Sequence, residues 1–208
     1  MFDWQRCRID LGKIKYRTER RIIGYLPLYA KMKKSSSHKK RQKLHPKVHW
    51  SRATGYLQLE MWEQAKSELE MLPNELPWGK QKRGMLVEIL QNQESWQTMR
   101  EIAHSLRMEF PNEAHWWIAD AYATRRCQSL EQAREVLLEG LVHHYDDALI
   151  RYNLGCYACK LGSLGECLDF LKEAVKRDEK YKLMAMEDDD LESVQDALRE
   201  LGWGDVVV

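Results

Sequence analysis

Apolar and small side chains return along this chain at a fixed interval of 34 residues. Counting from Ala133 in both directions gives Ala65, Met99, Ala133 and Cys167. Three residues earlier, the same step gives Trp62, Trp96, Leu130 and Leu164. Four later it gives Leu69, Ala103, Leu137 and Leu171, and seven later Leu72, Leu106, Gly140 and Ala174. Offsets of three, four and seven mark one face of a helix. A further column lies twelve residues before the first, at Ala53, Val87, Ala121 and Gly155, and another twelve after it, at Pro77, Pro111, Tyr145 and Glu179. No column needs a gap, so the interval reads as a structural repeat.

Each unit has room for two short helices, A and B, neither of which can bury its apolar face alone. Small residues at 53, 121 and 155 let helix A approach helix B, and Ala65, Ala133 and Cys167 offer a matching small surface. Leu69, Leu137 and Leu171 then fill the layer between units. Pro77 and Pro111 are expected to end helix B, because proline cannot continue the backbone ladder. Four units fit between residues 46 and 181, at 46–79, 80–113, 114–147 and 148–181.

The interval and its small/large alternation resemble the tetratricopeptide repeat family, in the form found in small bacterial proteins. The best single match is Tyr152-Asn-Leu-Gly-Cys-Tyr-Ala-Cys-Lys-Leu-Gly-Ser-Leu-Gly-Glu-Cys167, followed by Leu171 and Ala174. The resemblance implies an all-α fold, a right-handed α-solenoid of about four helix-turn-helix repeats. Some positions depart from the family pattern. Arg52 and Asp120 stand where it places Leu, Glu179 where it places Pro, and its first-column Trp survives only as Trp117. Val87 and Met99 are large for their columns, so the second A/B crossing is expected to be looser.

Beyond the fourth unit, Tyr181–Glu187 reads as a short helical turn, and a capping helix is expected from about Leu191 to Leu201, ended by Gly202. Asp188, Asp189 and Asp190 are suited to cap its N-terminus, where carboxylates accept free N–H groups and oppose the macrodipole. A polar outer face there suits the last element of a solenoid. The stretch from Ala185 through Asp190-Leu191-Glu192 resembles the closing segment of many bacterial chains of this family.

Composition adds a charge asymmetry. The whole chain is near neutral at +1, but residues 1–44 carry 14 Lys and Arg against Asp3, Asp10 and Glu19, which leaves the remainder near −10. A basic arm, residues 1–45, precedes an acidic body. Ser35-Ser-Ser-His-Lys-Lys-Arg-Gln-Lys43 is low in apolar content and is predicted to be disordered, while residues 1–30 fit either a short helix or no fixed structure. No apolar run approaches the ~20 residues that span a bilayer. Gly24–Ala30 is short, broken by Pro27, and lacks signal-peptide order, so a cytoplasmic protein is predicted. Five cysteines (Cys7, Cys127, Cys156, Cys159 and Cys167) are an odd count in a chain of this size and read as reduced thiols.

The sequence shows no catalytic constellation: no Gly-rich phosphate loop, no nucleophile elbow and no His-Glu-x-x-His. Cys156-x-x-Cys159 lacks the second ligand pair a zinc site requires and the leading strand of a redox motif. No metal or cofactor is expected. His143-His144 and Asp146-Asp147 sit where helix ends and starts explain them. The function expected is therefore non-catalytic binding of a protein or peptide segment.

By the resemblance, the concave surface would be lined from helix A. The residues that matter there are Trp50, Thr54, Glu88, Ile118, Tyr122, Arg125, Arg126, Tyr152 and Lys160. Trp50, Tyr122 and Tyr152 are candidate aromatic anchors and Arg125, Arg126 and Lys160 candidate cations, the residue types that carry interface energy. The alternative for Trp50 and Tyr152 is simple packing between neighbouring helices. The carboxylate clamp of chaperone-binding relatives is not expected, since only Asn153 matches it. A second functional reading makes the chain a nucleic-acid adaptor, with Lys and Arg of residues 13–43 on phosphates and Tyr16, Tyr25 and Tyr29 stacking on bases. The acidic body argues against it.

Overall fold

The computed structural model describes residues 44–204, which fall into two units, residues 44–72 and 73–204. The first holds α1 (Pro46–Gln58) and α2 (Trp62–Glu70). The second holds α3 (Trp78–Asn92), α4 (Trp96–Glu109), α5 (Ala114–Cys127), α6 (Leu130–His143), α7 (Ala148–Lys160), α8 (Leu164–Arg177) and α9 (Lys180–Met186), then a 3₁₀ turn (Asp189–Val194) and α10 (Gln195–Glu200). Among the described residues there is no strand. Helix B of the four hairpins begins at Trp62, Trp96, Leu130 and Leu164, the residues of one sequence column. Within the larger unit each helix from α3 to α9 packs on its chain neighbours, as a linear stack requires.

Four of the six repeating columns are buried in the core. Ala53, Val87 and Ala121 are fully buried, as are Ala65, Met99, Ala133 and Cys167. Leu69, Ala103, Leu137 and Leu171 are at most 1% exposed. The closeness of approach is clearest at Gly155, where a Cβ would come within 2.9 Å of Leu171 and 3.3 Å of the Cys167 carbonyl. Gly140 is matched to Trp117 in the same way, a Cβ there falling 3.1 Å from the Trp117 Cβ. The α3/α4 pair, with Val87 and Met99 at its crossing, is the least intimate hairpin of the larger unit.

Local chemistry sets the helix ends. Pro46 occupies the first turn of α1, where a missing N–H does no harm. Asp147 caps α7 by accepting from the Ile150 N–H at 2.8 Å. The turns joining A to B place Glu60, Glu94 and Gly162 at positive φ, at one position of the interval. Gln128, at the fourth such position, has φ −130° because α5 runs one residue further, to Cys127. There Ser129 caps α6 through its side chain.

Three expectations are corrected. Pro77 does not end helix B of the first repeat. α2 already stops at Glu70, ahead of Pro73, which biases Leu72 away from the helical region, and Pro77 instead precedes α3 as its N-cap residue. The closing helix is not continuous from Leu191, for the chain passes through a 3₁₀ turn before the six residues of α10. Nor do all three aspartates cap it. Asp188 caps the 3₁₀ turn, accepting from the Asp190 N–H at 2.9 Å, but Asp190 is buried and turned towards Arg125. The end falls as expected at Gly202, whose φ of +73° brings the Trp203 N–H to the Leu198 carbonyl at 3.1 Å. Leu191, Val194, Leu198 and Trp203 bury themselves beneath an exposed polar face of Glu192, Asp196, Arg199 and Glu200.

Asp120, in a column the family fills with Leu, is fully buried. Arg107 answers it, donating from Nε at 2.5 Å and from Nη1 to Glu139 at 3.1 Å. The Arg107 guanidinium lies 4.6 Å from the Trp117 ring centroid. A buried carboxylate survives there because a charged donor and a stacked ring replace its water.

The crossing geometry makes a direct test. Ala133→Leu should overpack the α5/α6 contact and destabilise the protein by about 1–3 kcal/mol. Glu131→Leu, on the exposed side of the same helix, should leave the midpoint of thermal unfolding nearly unchanged. Coincident melting of the two variants would refute the assignment of that face.

Candidate functional site

Trp50 and Thr54 belong to α1 and lie one turn apart, both half-buried. The Thr54 hydroxyl donates back to the Trp50 carbonyl at 3.0 Å. In the larger unit, Glu88 is half-buried on α3, Ile118 is only 5% exposed within the core, and Lys160 is exposed on the last turn of α7. The remaining predicted residues gather in two places.

The first is the corner where α5 ends beside the start of α4. The Tyr122 ring meets Trp96 edge to face, with centroids 5.7 Å apart, and the Arg126 guanidinium lies over Trp96 at 5.0 Å. Arg100, one turn into α4, donates to the Thr124 hydroxyl at 3.3 Å. Trp96 and Tyr122 are half-buried and Arg126 is exposed. An apolar plate edged by cations is suited to gripping a side chain that brings both kinds of contact.

The second lies where α5 and α7 meet the chain's own closing turn. Arg125 donates from Nη2 to Asp190 Oδ1 at 2.9 Å and from Nη1 to the other carboxylate oxygen, while its guanidinium sits 5.4 Å from the Tyr157 ring centroid. Burial works against the Arg125 charge, but the Asp190 hydrogen bonds and negative charge outweigh it and hold its pKa above the ordinary value. Tyr152 donates to Asp188 Oδ2 at 2.8 Å and stacks on Tyr181 at 5.0 Å, and the Cys156 thiol lies 3.5 Å from the same Asp188 oxygen. Arg125 and Tyr152 thus hold the 188–190 turn. The sequence reading missed Trp96 as a neighbour of Tyr122 and Asp188 and Asp190 as partners of Tyr152 and Arg125. Trp96 was visible only as a member of a repeating column.

A third polar cluster joins α3 to α5. Lys80 pairs with Glu113 and lies 4.5 Å from the Phe110 ring centroid, while Trp116 Nε1 donates to Glu113 at 2.9 Å. Burial pushes the His115 imidazole pKa down, against the pull of Glu113. Burial raises the thiol pKa of Cys159, and that of Cys167 to about 12. Protonated buried thiols are poor nucleophiles and poor metal ligands. Among the described residues no group of three or more His, Cys, Asp or Glu is placed to hold a metal, and no helix is long and apolar enough to cross a membrane. The basic-arm residues, Cys7, Tyr16, Tyr25 and Tyr29 among them, lie outside the described residues.

Comparison with solved structures gives the same fold. The crystal structure of YrrB, described as a TPR protein with an unusual peptide-binding site, matches with a TM-score of 0.55 and 16% identity, over 67% of this chain and 72% of that one. MamA from Desulfovibrio magneticus RS-1 matches with a TM-score of 0.54 and 18% identity, over 80% of this chain and 98% of that one. A further MamA structure matches with a TM-score of 0.56 at 8% identity, over 74% of this chain and 86% of that one. No family model and no curated protein matches the sequence. At these identities the shared feature is the fold, that of helical hairpins stacked as in tetratricopeptide-repeat proteins.

Two outcomes follow from the site's geometry. Arg125→Met leaves the Asp190 carboxylate buried and unanswered, so it should destabilise the protein by about 3–5 kcal/mol. Adding Asp190→Leu should recover much of that loss, and equal melting of single and double variants would show that the pair is not coupled. Among Cys127, Cys156, Cys159 and Cys167, only Cys127 is not buried. In the native protein it should be alkylated well before the other three, as read by peptide mass mapping. Prior labelling of Cys167 would contradict its packing.

Proposed function

We propose that this chain is a non-catalytic scaffold that docks a segment of another protein on the surface lined by helix A of its four repeats, residues 46–181. The Trp96–Tyr122–Arg126 corner carries the reading, because it combines aromatic anchors with a cation, the usual source of interface affinity. Glu88 and Lys160 add charges of both signs on the same set of helices. In the smaller unit, Trp50 and Thr54 on α1 are proposed contacts of that unit by itself. Ile118 supports the lining from beneath. Arg125 and Tyr152, engaged with the 188–190 turn, set the C-terminal limit of the docking surface. The peptide-binding site in the description of YrrB is consistent with this use of the fold. A phosphate-binding role is disfavoured in the larger unit, where residues 73–204 hold 16 Lys and Arg against 24 Asp and Glu. We place the scaffold in the cytoplasm.

Affinity should concentrate in few residues. Proteins retained by the full chain from its native cell extract are compared with those retained by Tyr122→Ala and by Glu131→Ala, quantified by mass spectrometry, with melting measured in parallel. A true partner should bind the folded Tyr122→Ala protein about thirtyfold more weakly, the equivalent of ~2 kcal/mol, and bind Glu131→Ala normally. Retention unaffected by Tyr122→Ala would place docking elsewhere and refute the reading.

A further inference from the structure

We propose that the contact between α3 and α5 is a proton-sensitive joint, in which protonation of His115 draws on Glu113 and loosens α3 from α5. Three donors face that one carboxylate. Lys80 of α3 pairs with Glu113 Oε1, and Trp116 Nε1 donates to Oε2 at 2.9 Å. His115 Nε2 lies 3.5 Å from the same Oε2, beyond ordinary hydrogen-bond length. It is buried and has no hydrogen-bond partner among the described residues. Buried polar atoms left in this state are few, since they lose water and gain nothing in exchange. Gaining a proton makes both ring nitrogens donors and sets a positive charge beside the carboxylate.

The surroundings of His115 set the direction of the response. Burial, the largest influence, works against the charge; Glu113 on α5 favours it, while Lys80 on α3 and His144 at the end of α6 oppose it. His144 is itself held in place, with Nε2 2.8 Å from the Pro111 carbonyl oxygen. The folded chain thus keeps the His115 pKa below its ordinary value of 6.5. As pH falls, the unfolded chain takes the proton first. The stabilisation is therefore present above 6.5 and is lost as pH falls through that value. The loss is felt at the joint because Trp116 connects all the parts. Its buried ring presses on α3, where a Cβ at Gly84 would fall 2.9 Å from Trp116 Cη2. The same ring meets the His115 ring at 4.0 Å and carries the N–H bonded to Glu113. An imidazolium that closes on Oε2 disturbs that hydrogen bond and repels Lys80, the cation through which α3 holds Glu113. The α3/α4 hairpin is also the least intimate of the larger unit, so α3 has less packing to resist the change.

The test is a nuclear magnetic resonance titration of the full-length chain from about pH 8 to about pH 5, the range in which histidine changes charge. The His115 ring signal should titrate below 6.5, and the Trp116 indole N–H signal should move with the same midpoint. Lys80→Met should raise that midpoint and Glu113→Gln should lower it. In His115→Gln the Trp116 signal should stay still across the range. Amide-exchange protection of α3, relative to that of α7, should fall over the same interval in the native chain and hold constant in His115→Gln. A His115 signal that titrates at or above 6.5, or a Trp116 signal indifferent to it, would overturn the proposal. So would an equal loss of protection in α3 and α7. The native titration is decisive even where a variant fails to fold.

Discussion

Two helix backbones can run within touching distance only where neither carries bulk at the crossing. In this chain that condition is met in three of the four hairpins, at Ala53 against Ala65, Ala121 against Ala133 and Gly155 against Cys167, all buried. Protein interiors are packed to crystal density, so an added methyl at such a point has nowhere to go. The larger side chains of the neighbouring columns, Leu69, Leu137 and Leu171, fill the spaces these crossings leave. Where the crossing carries Val87 and Met99 instead, the two helices pack less intimately than in the other hairpins. The interval of 34 residues is thus the repeat distance of a volume constraint.

A stack built this way has no intrinsic end, since its last face would remain apolar. Here the stack is closed by α9, the 3₁₀ turn and α10, which bury Leu191, Val194, Leu198 and Trp203 and turn acidic residues outwards. Asp188 and Asp190 reach Tyr152 on α7 and Arg125 on α5, which donate to them. The same pairing of guanidinium and aromatic ring recurs nearby, with Arg126 over Trp96 and Arg107 over Trp117. At Arg107 and Arg125 the cation answers a buried carboxylate, whereas at Arg126 it remains exposed beside the aromatic plate. That difference in burial separates supports of the fold from a candidate contact for a partner.

The helical hairpins, their order and the four buried columns were legible in the sequence. So was the end at Gly202, which rests on a left-handed residue that glycine adopts without strain. These are properties of side-chain volume and backbone preference, which act locally and repeat along the chain. The early end of α2 was legible too, had Pro73 been weighed against Pro77. The site was only partly legible. Tyr122, Arg125, Arg126 and Tyr152 stand out as residue types, but nothing in their spacing separates the two that grip the closing turn from the two that flank Trp96.

That separation depended on pairs distant in the chain. Arg125 and Asp190 are 65 residues apart, and Tyr152 and Asp188 are 36 apart. Asp120 looked like a flaw in an apolar column until Arg107 and Trp117 were seen to enclose it. A charge carries no record of its partner in its own sequence neighbourhood, and its energy depends on distance and burial, which exist only once the helices are stacked. The sequence by itself determined that this chain folds as tetratricopeptide-type hairpins, because packing volume is written residue by residue. Which of its polar and aromatic residues close the stack and which face outwards was decided by the tertiary structure alone.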